Sequence, residues 1–169
     1  MDSSARILIV SDTHGDRKYL AEAIDRVQPD ELWHLGDSEG DRDWIEKYSG
    51  CPVRIVRGNM DTDNSIPYDL IFDIPCHKVF MTHGHRYGVT QDLDSLKNAA
   101  KNNNCDIILF GHIHIPVLIS PDGANIPWIV NPGSIARPRQ DGREHTYIVL
   151  TFSKRFDPLF NQQTIKSDR

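Results

Sequence analysis

Cysteine is scarce in this chain. Cys51, Cys76 and Cys105 are odd in number, lie far apart and include no C-x-x-C pair. A disulfide framework is excluded on that count, and buried, reduced thiols are the expectation. No apolar run approaches the roughly 20 residues that span a bilayer. The start, Met1-Asp2-Ser3-Ser4-Ala5, has no apolar signal region. No membrane partner and a cytoplasmic location are therefore expected. Positive charge is also short: 19 Lys and Arg against 24 Asp and Glu leave a net charge of −5. That argues against general affinity for nucleic-acid backbones. A small phosphorylated substrate stays open, because bound divalent cations would reverse the local potential. There is no internal repeat and no low-complexity segment. The 169 residues, 38% hydrophobic and 25% charged, suit a single domain with one good core. Oligomeric state is not readable.

The apolar pattern predicts a succession of short elements. Arg6 to Val10 reads as a strand buried on both faces. Asp16 could cap the helix that follows, with Leu20, Ala23, Ile24 and Val27 at helical spacing, and Pro29 stops it. Glu31 to Leu35 and Val53 to Arg57 are strands, with a short helix from Asp41 to Tyr48 between them. Asp69 to Ile74 and Lys78 to Met81 read as paired strands about a turn at Pro75-Cys76. Asp92 to Asn102 is helical, and Ile107 to Phe110 is a strand. Hairpins are expected next: Ile115 to Ser120 with Ile126 to Val130, a turn at Asn131-Pro132-Gly133-Ser134, and a last strand from His145 to Phe152. Residues 1–5 read as a disordered N-terminus and 6–152 as the domain. Residues 153–169 are a polar tail, either frayed or a short extra element. Strand-helix alternation in front and antiparallel β behind would be satisfied by two packed sheets with helices outside.

Chemistry-bearing residues gather just beyond the strand ends. They are Asp12 and His14, Asp37, Asn59, His83, and His112 with His114. Ligands bind at the carboxyl ends of strands in open α/β sheets. Two histidines at i and i+2 in extended backbone point to one side, so His112 and His114 could share one metal or serve two. Seven O- and N-bearing side chains exceed what one ion needs. A mixed Asp/Asn/His set without thiolate favours Mn, Fe, Co, Ni or Zn over Mg. Gly15, Gly36, Gly58, Gly84 and Gly111 adjoin these residues. They either mark plain turns or allow close approach and unusual backbone.

The ordered set Asp12-x-His14, Gly36-Asp37, Gly58-Asn59-x-Asp61, His83-Gly84-His85 and Gly111-His112-x-His114 resembles the calcineurin-like metallophosphoesterases. With Asn131-Pro132-Gly133-Ser134 and the short length, it resembles the compact YfcE-like phosphodiesterases among them. The resemblance runs from about Ile7 to Phe152. It implies an α/β fold, a two-sheet β-sandwich flanked by helices in a single domain. It also implies two divalent transition-metal ions, Mn2+ first, with Ni, Fe, Co or Zn as alternatives. Asp12, His14 and His114 would hold one ion, Asn59, His83 and His112 the other, and Asp37 would bridge them. The implied activity is phosphodiester hydrolysis, with hydroxide formed between the metals attacking phosphorus in line.

Larger relatives carry a histidine where this chain has Met60, which cannot protonate a leaving group. His85 is the candidate substitute. Asp61 is expected to orient a ligand or its loop. Arg137 and Arg139 could contact substrate phosphate, with solvated loop charges the alternative. His34, His77 and His145 match no motif and read as surface or satisfied sheet residues; Trp33, Trp44 and Trp128 read as packing. Two further readings remain open: a phosphomonoesterase, nucleotidase or diphosphate hydrolase using the same centre, and a non-catalytic protein-interaction scaffold of the same fold.

Overall fold

The computed structural model describes residues 5–123, 127–153 and 155–167. The expected disorder at residues 1–4 and the expected strand start at Ile126 lie outside them. In chain order the elements are β1 (Ile7–Val10), α1 (Lys18–Val27), β2 (Glu31–His34), α2 (Arg42–Ser49), β3 (Val53–Ile55), β4 (Asp69–Ile74) and β5 (His77–Thr82). A 3₁₀ turn (His85–Tyr87), α3 (Asp94–Asn102), β6 (Ile107–Leu109), β7 (Pro116–Ile119), β8 (Trp128–Pro132), β9 (His145–Phe152) and β10 (Pro158–Ile165) follow.

The strands form two five-stranded sheets, ordered β10-β9-β1-β2-β3 and β4-β5-β6-β8-β7. Period-two alternation explains the layering. Ile7 and Ile9 join Trp33, Met81, Ile107, Leu109 and Ile148 in a core between the sheets. Leu8 and Val10 face the other way, packing with Leu20, Ala23 and Ile24 of α1 and Ile45 of α2. Phe80 and Ile108 likewise meet Leu96 and Ala100 of α3 on the outer face of the second sheet. The result is a single-domain β-sandwich with helices on both outer faces.

Each sheet has a parallel centre: β1-β2-β3 in one and β5-β6-β8 in the other. Parallel strands release their following loops at the same edge, which is why loops far apart in sequence meet.

The expected division into an alternating front and an antiparallel back does not correspond to the sheets. Strand β9 returns to pair antiparallel with β1, and β8 runs parallel to β6. Asn131 and Pro132 belong to the end of β8 rather than to a turn. Pro132 sits opposite Pro116 at the strand terminus, where its missing N–H breaks no interior ladder bond. The unpatterned polar stretch after Ser153 yields β10, an eight-residue edge strand in full register with β9. Only Pro158 and Ile165 at its two ends are buried, so an apolar alternation was never required. Cys105 is buried as expected, but Cys76 is exposed at the β4–β5 turn.

Leu109 lies fully buried between the sheets, whereas Leu159 of β10 is 51% exposed. Urea unfolding should show Leu109→Ala losing about 2–5 kcal/mol. Leu159→Ala should stay within about 0.5 kcal/mol of the parent.

Candidate metal centre

The loops leaving β1, β2 and β6 are not extended. Asp12 (φ 57°), His14 (48°), Asp37 (57°), His112 (71°) and His114 (60°) all occupy the left-handed region. The expectation that His112 and His114 share a side through extended backbone is therefore corrected: the chain turns, with Ile113 N–H donating to Gly111 O at 2.9 Å. Each such residue costs on the order of 1–3 kcal/mol and persists only when its surroundings over-determine it. Those surroundings are explicit. Asp12 N–H donates to Gly36 O and His14 N–H to Asp37 O, at 3.0 and 2.9 Å. Asn131 donates its amide to Gly111 O at 2.9 Å, and Ser134 donates its hydroxyl to Asp12 O at 2.8 Å.

The imidazoles are oriented from behind. His83 Nδ1 meets Leu35 O at 2.7 Å and His114 Nδ1 meets Arg137 O at 2.6 Å. A carbonyl can only accept, so in the neutral ring Nδ1 carries the proton and Nε2 presents a lone pair. His14 Nδ1 is held the same way by Glu39 Oε1 at 2.6 Å. These three Nε2 lone pairs are aimed at carboxylate oxygens and at each other. His114 Nε2 lies 3.1 Å from Asp12 Oδ1, and His14 Nε2 lies 3.2 Å from His114 Nε2. His83 Nε2 lies 3.3 Å from Asp37 Oδ2 and 3.2 Å from Asn59 Oδ1. Asp12 Oδ1 is buried and accepts no hydrogen bond. With the rings neutral, only acceptors converge here, an arrangement that a cation satisfies, so the residues present fit divalent metal.

Two groups have ligand atoms mutually within 4.8 Å: Asp12, His14 and His114, and Asp12, Asp37 and His83. Asp12 is common to both groups, and Asp37 Oδ2, 3.3 Å from His83 Nε2, stands 3.9 Å from His14 Nε2 of the other. The His112 ring falls in neither group. It sits edge-on to His83 at 5.1 Å, and its backbone N–H donates to Asp12 Oδ2 at 3.1 Å.

Asp61 is buried and acts as a clamp. Its carboxylate accepts from Asp37 N and Gly58 N (both 2.8 Å), Glu39 N (2.7 Å) and Ser38 Oγ (3.0 Å). This ties the loop after β2 to the loop after β3. Gly58 is needed for close approach: a Cβ there would stand 2.0 Å from Asp37 Oδ1. Gly111 serves the same end, with Ser11 Oγ at 2.1 Å from such a Cβ.

In the metal-free protein protons take the place of a cation: against its burial, His83 is raised above its ordinary value by Asp37 and Asp12. Burial pushes the Asp37 carboxyl up, but protonated His83, the Met60 N–H and His14 outweigh it and hold it at about 2. Asp12 is likewise lowered against its burial by His114, His83 and Ser11. His34, fully buried in β2, goes the other way. Burial depresses it from 6.5 to about 4, despite the nearby carboxylates of Asp61, Asp12 and Asp37. Its Nδ1 accepts from Gly36 N–H, and its Nε2 lies 3.1 Å from Thr13 Oγ1, so it is a satisfied sheet residue bracing two ligand loops.

A cavity of about 760 Å³ opens over this cluster. His14, Asp37, Asn59, Met60, His112 and His114 line one part and Arg137, Arg139, Arg143, His145 and Ser167 the other. His85 lies beside the centre, its ring 5.4 Å from His83 and 6.1 Å from His112, with a buried and unpartnered Nδ1. His145 is the satisfied sheet residue expected, bonded to Ile135 O and Ser167 Oγ at the cavity wall; sequence reasoning missed Glu39, Arg143 and Ser167. None follows a strand end at motif spacing; the run of arginines between Arg137 and Arg143 was the one available signal.

Together, this fold and this site define a β-sandwich with a candidate metal centre at one edge. Residues 5–155 match the model of the calcineurin-like phosphoesterase superfamily domain. A probable metallophosphoesterase of Bacillus subtilis, YsnB, is 32% identical over 152 residues, covering 86% of this chain and 83% of the relative. A predicted phosphoesterase of Streptococcus pneumoniae superposes with a TM-score of 0.77 at 31% identity, covering 96% of this chain and 89% of the other. Vps29 of Entamoeba histolytica, in complex with Zn2+, shares the fold at a TM-score of 0.66 and 18% identity, covering 94% and 98%. The chain belongs to the calcineurin-like phosphoesterase superfamily, whose members bind divalent metals. Among the described residues, no helix is long and apolar enough to cross a membrane.

Gly58→Ala must displace Asp37. Calorimetric titration with Mn2+ should show affinity falling by about 10–100-fold, as for loss of a ligand-supporting contact, with the fold retained by circular dichroism. A second expectation concerns pH. As pH falls below 6.5 the unfolded chain protonates His34 and the folded chain resists until about 4, so stability declines across that window. The lowered Asp37 contributes its loss only below 3.8. Thermal melts of metal-free protein should therefore show a slope between 6.5 and 4 that His34→Gln flattens.

Proposed function

We propose that this chain is a phosphodiesterase working with two divalent transition-metal ions. Asp12, His14 and His114 would hold one, Asn59, His83 and His112 would hold the other, and Asp37 would serve both. The observation that carries this reading is the convergence of acceptor atoms around the orphaned Asp12 Oδ1 with no donor among them. Bound ions supply Lewis acidity, activating water for attack and neutralising charge on the phosphoryl oxygens. The chain does the rest. Carbonyls and Glu39 fix the ring tautomers, and the Asp61 clamp keeps the Asp37 and Asn59 loops in place. Arg137, which lines the cavity, would meet a phosphoryl oxygen. His85 serves the leaving group, because its imidazole stands beside His83 and His112 while the exposed Met60 offers no proton. Mn2+ is the first choice of metal for an Asp/Asn/His set without thiolate, with Zn, Fe, Co and Ni next.

The scaffold reading draws on the Vps29 neighbours and on the half-exposed Leu118 and Ile119 of edge strand β7. A Vps29 also takes Zn2+, so the metal centre alone does not separate the two readings; the scaffold ranks second because the phosphoesterase relatives are nearer, at 32% and 31% identity against 18%.

Metal-stripped protein should be inert toward bis(p-nitrophenyl) phosphate and regain turnover with Mn2+. Silence with Mn, Zn, Fe, Co and Ni alike would favour the scaffold. On a diester with a poor alkoxide leaving group, His85→Ala should lower kcat by about 10²–10⁴. The nitrophenyl ester, whose leaving group needs no proton, should be much less affected. Equal loss on both would remove the acid role.

A further inference from the structure

The Arg137–Arg143 loop contributes more positive charge to the cavity than the scissile phosphate needs. Arg137, Arg139 and Arg143 all line it, and among the described residues none of the three guanidinium groups has a hydrogen-bond or ion-pair partner. Several arginines elsewhere are matched: Arg17 with Asp41, Arg42 with Glu46, Arg54 with Glu31. Asp141 and Glu144 lie in or beside the same loop, yet neither pairs with these arginines. In a protein of net charge −5, three clustered and unpaired cations repel one another unless an anion sits among them.

The loop is also held in register with the metal cluster. His114 Nδ1–H donates to Arg137 O, and Arg139 N–H donates back to His114 O at 3.1 Å. Ser134 Oγ accepts from Ala136 N and Arg137 N at 3.2 and 2.7 Å. Arg143 N–H closes a turn on Gln140 O at 3.0 Å, with its own φ at 47°. The arginines are thus carried at a fixed offset from a candidate ligand. A diester bears one negative charge, which two dications would already meet, so a second anion is the natural occupant of the remaining wall.

Resting on the function proposed above, we infer that Arg139 and Arg143 form a subsite for a second phosphate. Preferred substrates are then phosphodiesters that carry a further phosphate monoester. Guanidinium forks suit this task, since each can bind a phosphate through two parallel hydrogen bonds.

The test compares thymidine 5′-monophosphate with thymidine 3′,5′-bisphosphate by calorimetry in the presence of Mn2+. Parent protein should bind the bisphosphate about tenfold or more tightly, and Arg139→Gln/Arg143→Gln should bring the ratio to within about twofold. Equal affinities in the parent, or a preference kept by the double variant, would overturn the subsite. Both side chains are exposed, and a melting curve checks that the variant folds. Hydrolysis of thymidine 5′-(p-nitrophenyl phosphate) is followed in parallel. A bisphosphate preference without turnover supports the subsite and defeats the diesterase reading. Turnover without preference does the reverse.

Discussion

A buried carboxylate oxygen that accepts no hydrogen bond is the constraint on which this molecule depends. Asp12 is 0% exposed, its Oδ2 accepts from Ser11 and the His112 N–H, and its Oδ1 accepts nothing. An ionised carboxylate taken out of water costs several kcal/mol unless charge compensates it. The neighbours that could have donated have been turned around. His114 and His83 give their protons to backbone carbonyls behind them and offer lone pairs to the front. Evolution of a merely stable fold would have placed a donor here. A cation is the partner this geometry is built to receive.

The rest of the architecture can be followed outward from that point. The candidate ligands come from loops after five strands in two sheets, and parallel strand pairing brings the loops to one edge. Holding them there takes left-handed backbone at five non-glycine positions, each unfavourable alone. The Asp61 carboxylate, the Asn131 amide and the Ser134 hydroxyl supply the hydrogen bonds that keep those turns. Gly58 and Gly111 let backbone pass where a side chain would strike Asp37 or Ser11. Sheet packing, loop strain and site chemistry are thus one problem with one solution. The Arg137–Arg143 loop extends it, because its backbone is bonded directly to His114.

Much of this was legible in the residues because the relevant signals are local. Strands β1, β4 and β9 and the helices follow from apolar spacing. The ordered Asp and His motifs at strand ends named the five residues whose ligand atoms now lie within reach of one another, Asp12, His14, Asp37, His83 and His114. What escaped depends on long-range context. Strand β10 is an edge strand buried only at its ends, so no alternation marked it. Asn131-Pro132 looked like a turn, since the amide's partner, Gly111 O, lies 20 residues away. The i, i+2 histidines were read as extended, whereas the hydrogen bonds that twist them come from other loops. Arg143 and Ser167 reach the cavity, and Glu39 reaches His14, only through tertiary folding.

The central claim is that the cluster around Asp12 and Asp37 receives two ions. Anomalous diffraction from crystals grown with Mn2+ tests it most directly. The account predicts two peaks, one among Asp12, His14 and His114 and one beside His83 and Asn59, with the Asp37 carboxylate between them. A single peak, or none at saturating Mn2+, would contradict it.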